Sequence, residues 1–132
     1  MENKQKHLEF IQNVITRMNT NSFLIKGWTI TIVAALFALA AKDANKDYAM
    51  ILFIVIPVFW VLDGFYISQE RQFRSLYNEV REKEEKIIDF NMNTSSYNKG
   101  RNTWVSGIFS PTLSIMYLLL IFLIIVIKCL IK

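Results

Sequence analysis

Hydrophobic and polar positions along this chain fall into long blocks, and the two longest lie almost back to back. Phe23–Ala41 carries a single charge, Lys26, and Ala49–Ile67 a single charge, Asp63. Each block approaches the ~20 apolar residues with which a helix crosses a ~30 Å hydrocarbon core. Strand-like alternation is absent, and only helices and closed barrels satisfy their backbone groups in lipid. The pattern therefore predicts two spanning helices, 23–41 and 49–67, joined by the polar turn Lys42–Asp47.

A hairpin folded between Ala44 and Asn45 places Lys26 and Asp63 at equal depth. Intramembrane charges carry a penalty of about 2.5–3.5 kcal/mol on insertion scales and tend to find partners in a bundle interior. This register predicts a Lys26–Asp63 pair near one membrane face. The alternative is that each side chain snorkels to the interface independently.

Before the hairpin, Leu8, Ile11, Ile15 and Met18 recur at spacings of three and four, so 5–20 reads as an amphipathic helix. It can lie on a membrane surface or, the preferred reading, pack on another helix. His7 falls off the stripe and reads as solvated surface, with no second residue spaced to make it a metal ligand. Asn19–Ser22 reads as a polar break, with Asn21 or Ser22 capping the first spanning helix. Within that helix Gly27, Thr31, Ala34, Ala35 and Ala38 form a small-residue face suited to close helix packing, within the chain or between subunits. Thr29 and Thr31 can return their hydroxyls to their own backbone, so neither demands a water-filled path. Pro57 predicts a kink in the second spanning helix, serving as a fixed bend or a gate.

The second helix continues beyond the membrane as 68–88. Phe73, Leu76, Tyr77, Val80 and Ile87 form its apolar stripe, and charged residues crowd the other faces. Extending the hairpin register brings Leu8, Ile11 and Ile15 opposite this stripe. The result is a helical stalk of about 25 Å. Two helices bury little, so other subunits are expected to complete it. Residues 89–109 read as a polar linker with interfacial Trp104, Ile108 and Phe109. Ser110-Pro111 is a helix start, with Ser as cap and Pro at the first helical position. The third spanning helix, 111–131, is interrupted only by Lys128 and has the composition of a lipid-facing helix. The fold class is all-α: one integral membrane domain over 1–132, with three spanning helices, an amphipathic N-terminal helix and an extension of the second helix.

Lysine and arginine placement sets the orientation. With the N-terminus inside, Lys4, Lys6, Arg17, Lys26, Arg71, Arg74, Arg81, Lys83, Lys86, Lys99 and Arg101 are inside, and only Lys42, Lys46, Lys128 and Lys132 are outside. Trp28, Trp60 and Trp104 then gather at the inner interface. The net charge of +4 suits an anionic membrane surface and does not indicate nucleic-acid binding. The polar first residues exclude a cleavable signal peptide.

Candidate chemistry is sparse. The single Cys129 excludes an intramolecular disulfide and a multi-cysteine metal site, and it reads as apolar filler or a cross-link between subunits. No zinc-protease helix, phosphate loop or nucleophile elbow is present, so no enzyme, metal or cofactor is expected. Arg71, Arg74 and Arg81 can contact an anion or a partner. The interspersed glutamates favour a salt-bridged surface that sets topology.

The runs Asn21–Trp28, Leu62–Tyr66, Gln69–Tyr77 and Val80-Arg81 resemble those of a family of small bacterial membrane proteins. That family is similar in plan to the transmembrane effectors of anti-phage defence systems, including two-helix effectors associated with nucleotide-signal synthases. The resemblance covers roughly residues 8–81. It implies a membrane effector; together with the matched charges, the small-residue face and the helical stalk, the expectation is a self-associating inner-membrane protein that perturbs the bilayer or forms a channel when a cytoplasmic signal or partner acts on the stalk. The third spanning helix and the lack of a sensor domain depart from the nucleotide-sensing types, so direct nucleotide recognition is not expected. The alternative is a non-conducting scaffold that anchors a soluble cytoplasmic partner.

Overall fold

The computed structural model describes residues 2–43 and 47–130, and every regular element among them is helical. Four α-helices follow in order: α1 Glu2–Asp43, α2 Asp47–Glu82, α3 Trp104–Ile108 and α4 Pro111–Leu130. The centre of the predicted turn, 44–46, and the predicted end of the third helix, 131–132, lie outside the described residues.

The first helix is unbroken. The predicted separation at Asn19–Ser22 does not occur, because residues 2–43 form one helix of 42 residues. Asn21 and Ser22 are therefore interior positions and not caps. Asn and Ser favour caps only weakly over helix interiors when tertiary bonds occupy their side chains, and Ser22 is so occupied. The second helix runs through Pro57 to Glu82 without interruption. It ends short of residue 88, and a single 3-10 turn follows at Glu85–Ile87. Glu85 closes the other end of the stalk: its carboxylate accepts from the N–H groups of Asn3 (2.8 Å) and Lys4 (3.1 Å), satisfying first-turn donors of α1.

α2 is the shared spine. α1 lies along one side of it, burying His7, Ile11, Ile15, Ser22, Thr29, Val33 and Ala40 in a single stripe. α4 runs antiparallel to α2, with Tyr117 against Asp63 and Lys128 against Met50. Val33, Leu52, Ile56, Leu113, Tyr117 and Ile124 form the core where the three meet. A second core in the stalk unites Ile11, Ile15, Leu76 and Val80 with Leu8, Phe73, Tyr77, Ile88, Met92 and Tyr97. Met18 is half-buried beside neither cluster's centre.

Residues 85–103 are not a free linker. They fold as three single 3-10 turns, the first against the start of α1 and the other two against α2, and Ile88, Met92 and Tyr97 pack on the stalk core within the chain. Ser110 also departs from expectation. Pro111 does open α4, but the Ser110 hydroxyl caps nothing and has no hydrogen-bond partner. The helix is entered through the Ser110 carbonyl, which accepts from Ser114 N at 2.9 Å.

α1, α2 and α4 are each long and apolar enough to cross a membrane. No more than 22% of the most apolar stretch of any of them is buried. Phe23, Trp28, Ile54, Ile115, Leu119, Phe122 and Leu130 all face outward. Contiguous apolar surface on this scale is foreign to a water-exposed monomer. These helices suggest a membrane-spanning protein.

Candidate functional site: a buried Asp63 cluster joining three helices

Asp63 is completely buried, and it is the point where α1, α2 and α4 are tied together. Lys26 Nζ lies 2.7 Å from Asp63 Oδ2. The Tyr117 hydroxyl donates to the same oxygen at 2.8 Å. The Ser22 hydroxyl donates to Oδ1, and Lys26 Nζ donates to Ser22 Oγ at 2.6 Å. One carboxylate thus accepts from three side chains on two other helices. Lys26 and Ser22 are one turn apart on α1, so both reach the same oxygen pair.

Two tryptophans brace this arrangement. Trp60 stacks on Tyr117, with ring centroids 5.8 Å apart and planes 8° apart, and so holds the phenol against Asp63. Its indole N–H donates to Ile108 O at 2.7 Å, and Trp104 donates to Val61 O at 2.9 Å. These bonds pin α3 across α2 beside the carboxylate. The approach is close because Gly64 and Gly107 face each other. A Cβ on Gly64 would stand 2.8 Å from Ile108 Cα, and one on Gly107 would collide with Gly64 O. The two glycines are required by contact, not by backbone torsion.

A second, neutral cluster lies further along α2. Ser68 donates to Asn102 O (2.6 Å), and Gln72 Nε2 donates to Asn102 O (3.0 Å) and Ser68 Oγ (3.1 Å). Thr94 donates to Gln72 Oε1 (3.1 Å), and Asn102 Nδ2 donates to Ser75 Oγ (2.9 Å). This amide network fastens the 94–102 segment to the helix. Buried polar groups of this kind are costly unless they are bonded throughout, and these are.

Of the residues singled out from sequence, Lys26 and Asp63 come together, and Thr29 and Thr31 bond the carbonyls of Ile25 (2.7 Å) and Gly27 (2.8 Å). The small-residue face Gly27, Thr31, Ala34, Ala35 and Ala38 is exposed, and a Cβ at Gly27 would meet nothing within 4 Å. Arg74 pairs with Glu70 at 2.8 Å, Arg71 donates to Arg101 O at 2.8 Å, and Arg81 lies apart from both, beside Glu82. Cys129 is exposed. His7 is the clearest correction: it is fully buried, with Nε2 3.0 Å from Asn91 O and its ring 5.5 Å from that of Phe90. The folded-back 88–92 segment covers a position that a two-helix stalk would leave wet. Among the described residues no three His, Cys, Asp or Glu side chains are grouped to hold a metal.

Sequence reasoning missed Ser22, Tyr117, Trp60, Gln72 and the Gly64–Gly107 contact. Ser22 was within reach, since it precedes Lys26 by one turn on the side that faces Asp63. Tyr117, the one phenol in an otherwise Leu/Ile/Phe-rich helix, also signalled a bonded tip.

The chain matches no protein-family model, and neither a curated protein nor a solved structure is significantly similar to it.

Proposed function

We propose that this protein is a self-associating bacterial inner-membrane protein, a membrane-perturbing or channel-like effector whose resting state is held closed by the Asp63 cluster. The N-terminus and stalk are assigned to the cytoplasm and the C-terminus to the outside. The anti-phage setting follows from the family resemblance. The supporting observation is that the buried charge pair occupies the junction of all three apolar helices. A buried ion pair is a poor source of net stability compared with apolar packing, whereas breaking one partner has a large effect. Such a pair suits a joint that must open as a unit. A cytoplasmic partner or signal acting on the docked 85–103 segment would displace α3, and with it the Trp60–Tyr117 brace on Asp63. Self-association would use the exposed face of Gly27, Thr31, Ala34, Ala35 and Ala38.

The test is ion flux in reconstituted vesicles, together with membrane potential in phage-challenged cells. Asp63→Asn is expected to raise resting leak and to blunt the response to challenge. If wild type and Asp63→Asn give the same flux in vesicles and the same potential in cells, the effector reading is wrong.

A non-conducting scaffold is the second reading. Its support is that the hydroxyls of Thr29 and Thr31 are returned to their own helix, and that Ser22, Lys26 and Tyr117 all donate to Asp63. A soluble partner that co-purifies with the wild type and is lost on Phe73→Ala or Tyr77→Ala, without any leak, would establish it.

A further inference from the structure

Beside the stalk, where α2 leaves its apolar stretch and α4 begins, an open cleft of about 600 Å³ is lined by Arg71, Arg74, Arg101, Ser110 and Thr112, with Glu70 on its wall. Arg74 and Glu70 neutralise each other at 2.8 Å. Asn19, with its amide turned to donate, also reaches the Glu70 oxygens at 3.0 and 2.7 Å. Glu70 is thus held chiefly by Arg74 and Asn19. Arg71 and Arg101 have no carboxylate within ion-pair distance among the described residues, and the Arg71 guanidinium donates to the backbone carbonyl of Arg101 at 2.8 Å. Burial and then the neighbouring Arg101 charge pull the Arg71 guanidinium below its usual range, with Glu70 opposing them in part. Like charges held at one wall gain from an anion between them.

The floor of the cleft is equally incomplete. Ser110 is only 6% exposed, and its hydroxyl is one of the two buried side-chain atoms left without a partner among the described residues. It stands at the start of a 20-residue helix, ahead of the first intrahelical bond from Ser114 N to Ser110 O, so the Thr112 N–H is an unused donor at the positive end of the dipole. Guanidinium groups and a helix N-terminus beside one space are donors that bind phosphate oxygens, and the Ser110 hydroxyl, covered at the floor beneath them, is the polar atom that such a ligand would satisfy.

We propose that this cleft binds the phosphate group of a phosphate ester between Arg71, Arg101, Ser110 and the first turn of α4. Ile67, at the end of the apolar stretch of α2, and Pro111, which opens α4, form the apolar side of the cleft. An anionic phospholipid headgroup fits this geometry, with its chains running down those surfaces. A soluble phosphate presents the same chemistry without the chains. The lipid source rests on the membrane reading above; the phosphate site itself does not.

The experiment uses full-length protein, delipidated in a neutral detergent. It is titrated separately with short-chain phosphatidylglycerol, with the diacylglycerol that lacks its phosphate, and with inorganic phosphate. Binding is followed by native mass spectrometry and tryptophan fluorescence. Phosphatidylglycerol is expected to saturate one site, with Arg71→Gln and Arg101→Gln each weakening it roughly tenfold. Ser110→Ala should weaken it about threefold, and Arg81→Gln, away from the cleft, by less than about twofold. Inorganic phosphate binding with the same dependence, while the lipid does not bind, would keep the site and assign it a soluble ligand. Diacylglycerol binding as tightly as phosphatidylglycerol, no binding of either phosphate, or arginine variants that bind like wild type would overturn the proposal. If Arg71→Gln fails to fold, Arg101→Gln, on the surface segment, carries the test. Ion flux is not the readout, so failure here leaves the effector reading standing.

Discussion

The two halves of the hairpin solve the same packing problem with different glue. In the stalk, α1 and α2 are joined by Ile11, Ile15, Leu76 and Val80, and the 94–102 segment is fastened to α2 by neutral amides and hydroxyls around Gln72. In the apolar half, α1, α2 and α4 are joined at a carboxylate, an ammonium, a hydroxyl and a phenol. Burying apolar side chains drives association in water. Between helices surrounded by lipid tails it drives much less, and packing and polar bonds must select the partner and the register. In the apolar half a charged joint therefore adds, to the core of Val33, Leu52, Ile56, Leu113 and Ile124, the choice of partner and register that apolar packing makes in the stalk.

The sharpest way to break this comparison is to leave one charge stranded. Asp63→Ala removes the acceptor of Lys26, Ser22 and Tyr117 at once and is expected to destabilise the protein by about 3–5 kcal/mol, read from denaturant unfolding in detergent. The apolar triple replacement Lys26→Met, Asp63→Leu and Tyr117→Phe should recover most of that loss, because no charge is left unpaired. A triple variant as unstable as Asp63→Ala would show that the cluster is worth more than its desolvation.

Gly64→Val tests the brace without touching a charge. It drives a side chain into Ile108 and is expected to cost about 1–3 kcal/mol, with α3 undocked and Trp104 fluorescence shifted. On the stalk side, Gln72→Leu leaves the Thr94 hydroxyl unbonded. The expected loss is about 1–3 kcal/mol, appearing as faster hydrogen exchange over 94–102 while the apolar half is unchanged. Equal loosening of both halves would contradict their independence.

The smallest effect is set by pH. The Asn91 N–H donates to the Asp89 carboxylate and holds it below the usual 3.8. A lowered folded-state value stabilises above the unfolded one, and the benefit disappears as pH falls through the folded value. Acidification below about pH 4 should therefore loosen 88–92 slightly in wild type and not in Asp89→Asn, as read by exchange of those amides.

Much of the architecture was legible because it depends on block composition. Continuous apolar runs imply helices whatever their neighbours, and hairpin symmetry alone placed Lys26 opposite Asp63. The Asn19–Ser22 stretch misled because local propensity favours a break there, whereas the bond from Ser22 to Asp63 rewards continuity. The buried stripe of α1 mixes His7, Ser22 and Thr29 with Ile and Val, so hydrophobicity does not outline it. The residues that sequence grouped as a packing face, from Gly27 to Ala38, instead face outward.

The sequence by itself determined the helical class, three helices with the length and apolarity to span a membrane, and the depth match of one charge pair. Each follows from properties summed along contiguous residues. Only the tertiary structure decided that Tyr117 completes the pair, that Gly64 and Gly107 meet, that the 85–103 segment covers His7, and that Arg101 replaces Arg81 beside Arg71. Those relations join residues 30 to 84 positions apart, and no local pattern carries them, because the chain's return path is chosen by packing.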